Sequence, residues 1–256
     1  MDILKQLPDK CIDLVVTSPP YDNLRTYNNS LVWDFDVFKS IANELYRVMK
    51  DGGVIVWIVS DATINGSETG TSFKHALYFK EIGFNIHDTM IWEKENSGTI
   101  GALDRYENTF EYMFVFSKGK PKTVNLIKDK ANKWFGTKAN ATIRQTDGTT
   151  VRNISTLGKE VNAYGRRKNV WLISPVHSNT ERCGHPAPFP IRLASDHIIS
   201  WSNEEDLVLD CFSGSGTTAI ACHRLKRRFI CIEKDIEYYK KSVERLKHEQ
   251  AQLQLF

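Results

Sequence analysis

Residues Thr17-Ser18-Pro19-Pro20-Tyr21 close the apolar run CIDLVV with a hydroxyl, two rigid rings and an aromatic ring. A buried strand ordinarily ends in Gly or Asn-Gly turn chemistry, so a stiff polar hook with a flat ring beside it asks for another use. Ser18 offers acceptor lone pairs, and Pro19 adds a carbonyl on a backbone whose φ is fixed. Two such acceptors can take both hydrogens of an exocyclic amine and leave its nitrogen lone pair exposed. Tyr21 can stack on the ring that carries the amine. A base handled in this way must leave the duplex stack, because neither its amine nor its face is reachable inside it. Taken alone, the segment also reads as a rigid loop with a packed tyrosine.

A second group of residues lies near the other end. In DLVLDCFSGSGTTA, Gly214-x-Gly216-x-x-Ala219 follows a strand-like run and opens a helix-like one. Glycines there allow a tight turn and let a ligand approach the backbone. Glu233 ends the next strand-like run, where an acid can hold ribose hydroxyls. Asp210 stands at the elbow before the turn, which is unfavourable for a pyrophosphate and suits a cationic head. The ammonium and sulfonium of S-adenosylmethionine are such a head. No Lys follows the glycines, which excludes a Walker-type phosphate loop. An ordinary strand-to-helix turn with Asp as N-cap is the other reading of this segment.

The elements that must position these groups alternate along the chain. IDLVVTS and GVIVWIVS read as short buried strands. DFDVFKSIANELYRVMKDGG between them has helical apolar spacing and a Gly pair suited to a helix C-terminus. SFKHALYFKEIGF repeats the helix-then-Gly pattern, and NIHDTMIWEK and FEYMFVFSKG read as two more strands. After the basic middle, PFPIRLASDHIISWS reads as a helix with Pro near its start, DLVLDCF as a strand and GTTAIACHRLK as a helix. RRFICIEKD follows as a strand and IEYYKKSVERLKHEQAQL as a final amphipathic helix. Such alternation implies an α/β fold with one doubly wound, mostly parallel sheet, interrupted by an insert. The expected divisions are 1–118, 119–183 and 184–256.

The insert carries the charge. Ser117 to Cys183 holds fourteen Lys/Arg against four acids, while the whole chain of 256 residues is only +3, so the remainder carries −7. A polyanionic partner is the physical reading of such a block, and a solvated, mobile insert is the other. Lys133, Lys138, Arg144, Arg152, Arg166, Arg167 and Lys168 are candidate phosphate contacts. Trp134, Phe135 and Trp171 are expected to pack a small core within it, the other reading being that they fill the gap left by a flipped base. No apolar run is long enough for a membrane span, and the first residues lack signal-peptide character. The five cysteines are odd in number and form no C-x-x-C, which suits buried thiols in a reducing cytoplasm. Cys183-x-His185 lacks a second ligand pair, so no metal is expected.

With both motifs in view, the sequence resembles the permuted, β-type DNA amino-methyltransferases of the cytosine-N4 and adenine-N6 family. In that family an S/D-P-P-Y loop comes first, a basic recognition segment next and an F-x-G-x-G turn last, as here along nearly the whole chain. IWEKEN, FEYMFVFSKG and HPAPFPIRL look like its intermediate segments. The resemblance implies a Rossmann-like methyltransferase fold with S-adenosylmethionine held at Asp210, Phe212, Gly214, Gly216, Thr217 and Glu233, with His185, Pro186 and Phe189 nearby. It implies a target-base pocket of Ser18, Pro19, Pro20 and Tyr21. Ser-Pro-Pro-Tyr is more typical of cytosine-N4 enzymes and Asp-Pro-Pro-Tyr of adenine-N6 enzymes, so cytosine N4 is the expected target. The family usually carries a Gly-Asp pair upstream of the LKQLPD-type segment; here that pair is absent, or Asp2 serves in its place. Duplex DNA is the implied partner of a cytoplasmic, nucleoid-associated protein, and a cognate restriction endonuclease is a second implied partner. Many relatives form homodimers, though no exposed apolar stripe in this sequence compels one.

Three other functions compete. A nicotinamide-dependent dehydrogenase leaves TSPPY and the basic block without a purpose. A non-catalytic nucleic-acid-binding module predicts DNA binding indifferent to S-adenosylmethionine. An RNA or small-molecule methyltransferase predicts no sequence-specific duplex binding left at high salt. Carbon-5 methylation of cytosine needs a Cys nucleophile, commonly after Pro, and no Cys here follows Pro.

Overall fold

The computed structural model describes residues 2–22, 33–95, 104–176 and 188–253. They form two compact units, Met1–Asn125 with Asn169–Phe256, and Leu126–Lys168.

The larger unit is built on a seven-stranded sheet of β1 (Ile12–Thr17), β2 (Met49–Val59), β5 (Asn85–Lys94), β6 (Phe110–Ser117), β11 (Val170–Ile173), β12 (Leu207–Asp210) and β13 (Arg228–Cys231). Their order is β11-β5-β6-β2-β1-β12-β13, and β3 (Thr63–Ile64) and β4 (Ser67–Glu68) pair with each other outside it. Every neighbouring pair is parallel except the two made by β6, which runs antiparallel to both β2 and β5. The sheet is therefore mixed, with one reversed strand in an otherwise parallel array.

Helices cover both faces. In chain order the described ones are α1 (Asp2–Gln6), α2 (Phe35–Val48), α3 (Thr71–Glu81), α4 (Ile191–Trp201), α5 (Thr217–Arg224) and α6 (Ile236–Leu253). Strand residues alternate between two apolar layers, as a pleated sheet buried on both sides requires. Ile55, Trp57 and Val59 of β2 pack with Phe38 and Leu45 of α2 and Phe79 of α3. Val54, Val56 and Ile58 pack with Leu193 and Ile198 of α4 and Ala221 of α5. Asp34 starts α2 by accepting a hydrogen bond from the Val37 amide at 2.8 Å. No described helix is long and apolar enough to cross a membrane.

Several local expectations are corrected. The pair Gly52-Gly53 does not close α2; that helix ends at Val48 and passes directly into β2. Gly52 sits at φ +82°, and a Cβ there would lie 2.9 Å from Lys122 Cβ, so the glycine serves the close approach of the 118–122 chain. The separate unit is narrower than 119–183, because Val170–Ile173 pair with Ile91–Lys94 and extend the main sheet. Trp171 accordingly belongs to the main core, stacked on His197 at 4.5 Å, while Trp134 and Phe135 are exposed rather than packed. The unit Leu126–Lys168 is made of the pairs β7 (Lys130–Ala131) with β10 (Tyr164–Gly165) and β8 (Thr142–Arg144) with β9 (Thr150–Arg152).

Candidate active site

β1 and β12 lie side by side, with β2 on the far side of β1 and the edge strand β13 on the far side of β12. The chain leaves β1 toward β2 on one side and leaves β12 toward β13 on the other, so the connections diverge. A crevice opens at the carboxyl ends of strands at such a reversal. TSPPY leaves β1 there and the Gly-rich turn leaves β12 there. The two motifs are bonded: Thr17 Oγ1 donates to Asp210 Oδ1 at 2.6 Å, joining residues 193 apart in sequence.

Asp210 is 1% exposed and accepts two further bonds, from the Phe212 amide at 3.1 Å and from Thr218 Oγ1 at 2.6 Å. Its carboxylate thus lies behind the turn and holds it in shape. A cationic ligand feels it through its field, since both oxygens already have protein partners. Burial pushes its pKa up to about 6, against the pull of the Thr17, Thr218 and Phe212 bonds. His75, buried under the Phe38 ring at 3.8 Å, is shifted the other way, to about 4, mainly by the loss of solvation.

These shifts make opposite contributions to stability. Asp210 binds a proton in the folded state that the unfolded state releases above the ordinary carboxyl value of 3.8, so its contribution is lost as pH rises through about 6. His75 contributes fully above the ordinary imidazole value of 6.5 and loses that contribution as pH falls toward about 4. The windows overlap. Asp210→Asn is therefore expected to leave stability rising with pH from about 4 to 6.5, where the parent is flatter, as read from urea midpoints at stepped pH.

The turn itself uses backbone that L side chains avoid. Gly214 has φ +48° and Gly216 has φ +79°. The Gly214 amide donates to Glu233 Oε2 at 2.8 Å, and Glu233 Oε1 accepts from the Asp235 amide at 2.8 Å. Glu233 remains partly exposed, with lone pairs beyond those two bonds. It sits two residues past the end of β13 rather than within it. Thr217 is buried, and its hydroxyl accepts from Arg245 Nη1 at 3.4 Å, which ties the start of α5 to α6. Phe212 meets Trp33 edge-on at 5.4 Å. Phe189 is a core side chain, packed with Leu193 and Ile198. His185 and Pro186 lie outside the described residues.

In the hook, Pro19 and Pro20 are buried while Ser18 and Tyr21 are partly exposed. Ser18 Oγ lies 2.9 Å from the Tyr21 hydroxyl, which donates to Glu111 Oε2 at 2.5 Å. Glu111 Oε1 pairs with Lys94 Nζ at 2.6 Å. Asp22, next in the chain, accepts from Thr69 and Thr71, each at 2.7 Å, and anchors the far end of the hook. Sequence reading missed Glu111, Lys94 and Asp22. Glu111 did leave a signal, as the lone acid within the apolar strand FEYMFVFS.

In the smaller unit, Lys133, Lys138, Arg144, Arg152, Arg166 and Lys168 are exposed. Register places Arg152 opposite Thr142 and Arg144 opposite Thr150, so Arg144 and Arg152 share one face of the β8–β9 hairpin. Arg167 is more enclosed and is turned to Asp129, with Nε 2.8 Å from Oδ2.

A model of the DNA methylase family matches residues 12–244. The chain belongs to that family. The orphan methyltransferase M.BamHII of Bacillus amyloliquefaciens is 51% identical over 251 residues, covering 95% of this chain and 92% of that protein. Among solved structures, M1.HpyAVI in complex with SAM superposes with a TM-score of 0.65 at 25% identity, covering 96% of this chain and 94% of that one. The PvuII cytosine-N4-specific DNA methyltransferase has a TM-score of 0.67 at 23% identity, over 96% and 86%. In this methylase, burial raises the thiols near the turn, Cys211 and Cys231 well above their usual range and Cys222 to about 12. A thiolate nucleophile of the carbon-5 type is disfavoured at those three positions. The turn also fits a nucleoside carrying a cation better than a diphosphate, because Asp210 lies behind it and Glu233 is bonded to its Gly214 amide.

Proposed function

We propose that this DNA methyltransferase modifies the N4 amine of cytosine in duplex DNA, as the modification enzyme beside a cognate restriction endonuclease. Its cofactor is S-adenosylmethionine, which when bound supplies an electrophilic methyl group. Glu233 holds the ribose hydroxyls, and Phe212 with the Gly214–Gly216 backbone lines the pocket. Asp210 and Thr217 keep the turn in shape, with Phe189 supporting it from the core. Ser18 and the Pro19 carbonyl take the hydrogens of the target amine, and Tyr21 lies against the base. These side chains act by orientation and electrostatics, with no covalent intermediate on the protein.

The observation that carries the reading is the Thr17–Asp210 bond, which fastens the amine hook to the cofactor turn at the sheet's reversal point. Cytosine is favoured over adenine because Ser18 opens the motif in place of Asp. The test is incubation with S-adenosylmethionine and unmethylated DNA, followed by digestion and mass spectrometry of the nucleosides. N4-methylcytosine is the expected product. N6-methyladenine overturns the choice of base, and no methylated base from a protein that binds the cofactor overturns the DNA substrate.

The exposed basic residues are assigned to phosphates. Arg144→Ala with Arg152→Ala is expected to weaken duplex binding on all sequences alike. Each lost contact should reduce the slope of log K against log salt by about 0.9. Titrations at several salt concentrations check this, and a changed base preference with an unchanged slope would assign the pair to base reading instead.

A further inference from the structure

The Ser18 hydroxyl has one proton, and its direction decides whether the hook accepts hydrogen bonds from the target or donates one to it. We infer that Glu111, backed by Lys94, fixes that direction through Tyr21 and makes Ser18 an acceptor toward the amine. The inference rests on the amine-methylation reading above. It adds Glu111 and Lys94, to which that reading assigned no part.

Glu111 is 7% exposed, and its Oε1 lies 2.6 Å from Lys94 Nζ. A carboxylate paired with an ammonium has no proton to offer, so the 2.5 Å bond to Oε2 is donated by the Tyr21 phenol. With its single proton directed to Glu111, the phenol oxygen meets Ser18 as an acceptor. The 2.9 Å contact is then donated by the Ser18 hydroxyl. What Ser18 presents away from Tyr21 is lone pairs.

The chemistry requires this polarity. An exocyclic amine offers two N–H donors, and its nitrogen lone pair must stay open to the incoming methyl group. A serine hydroxyl free to rotate would point part of the time at that lone pair and occupy the reacting position. Directed onto Tyr21, it can only accept. The placement of the ion pair argues the same way, since enclosing Glu111 against Lys94 costs solvation that stability alone does not recover. Glu111 and Lys94 are thus positioning residues, acting through Tyr21 on Ser18.

Glu111→Gln and Tyr21→Phe test this, singly and combined. Gln can turn its amide N–H₂ toward the phenol and so loses the enforced direction, while Phe keeps the ring and removes the relay. Each single variant is expected to lower kcat roughly 10- to 100-fold, with cofactor Kd and the KM for DNA within about twofold of the parent. The double variant should be no slower than the slower single one, because without the phenol Glu111 has nothing to orient. Full additivity, or a parent-like kcat in folded Glu111→Gln, overturns the inference. Should Glu111→Gln fail to fold, Tyr21→Phe, which leaves the ion pair intact, carries the test, and a parent-like kcat in it is equally decisive. A parent enzyme that binds cofactor and methylates no base overturns the underlying reading. An active parent with equally active variants overturns this inference alone.

Discussion

Ser18→Ala is expected to reduce turnover by roughly 10²- to 10³-fold while cofactor affinity and fold are retained. The residue stands just past the end of β1, partly exposed, between Thr17, which is bonded to Asp210, and two buried prolines. Removing its oxygen leaves those anchors in place, and Tyr21 keeps its bond to Glu111. What is lost is one acceptor for the amine and, with it, the bias of the nitrogen toward a tetrahedral shape. That interaction strengthens as the nitrogen becomes positively charged, so the loss belongs to kcat rather than to binding. Initial rates at saturating DNA, with a direct titration of the cofactor, separate the two. A raised KM with kcat unchanged would mean that Ser18 grips the base without orienting it.

How much of this could be read beforehand follows from what sequence patterns encode. β1, β12 and β13 were legible as apolar runs ending in chemistry, and the helices by their spacing and terminal Pro or Gly. The reversed direction of β6 was not, because FEYMFVFS has the same buried composition whichever way it runs. Val170–Ile173 was hidden for another reason: four residues beside Arg166-Arg167-Lys168 carry too little periodicity to show that they leave the basic unit and rejoin the sheet. At the site, types and spacing picked out both motifs and their order. They could not show that Asp210 faces inward to Thr17 and Thr218, since burial of a carboxylate depends on partners that arrive from β1 and α5. Nor could they join Glu111 to Tyr21, a contact between residues 90 apart that exists only once β6 lies near the end of β1.

Gly216→Ala is expected to cost about 2–4 kcal/mol of stability and to weaken cofactor binding in the fraction that remains folded. Two independent effects add. Gly216 precedes α5 with φ +79° and ψ +26°, a left-handed conformation that charges an L side chain roughly 1–2 kcal/mol. A Cβ there would also sit 2.9 Å from Ser242 Cβ, on the face of α6 that packs against the turn. The helix cannot simply withdraw, because Arg245 one turn further on bonds the Ser215 carbonyl at 3.2 Å and the Thr217 hydroxyl. Relief must come from the turn, whose Gly214 amide is bonded to Glu233. Pairing the substitution with Ser242→Gly separates the two effects: it removes the clash but not the torsional cost, so urea unfolding should return about half of the lost stability. Full recovery would show that Gly216 is required for space alone. No recovery would show that the left-handed backbone is the whole requirement.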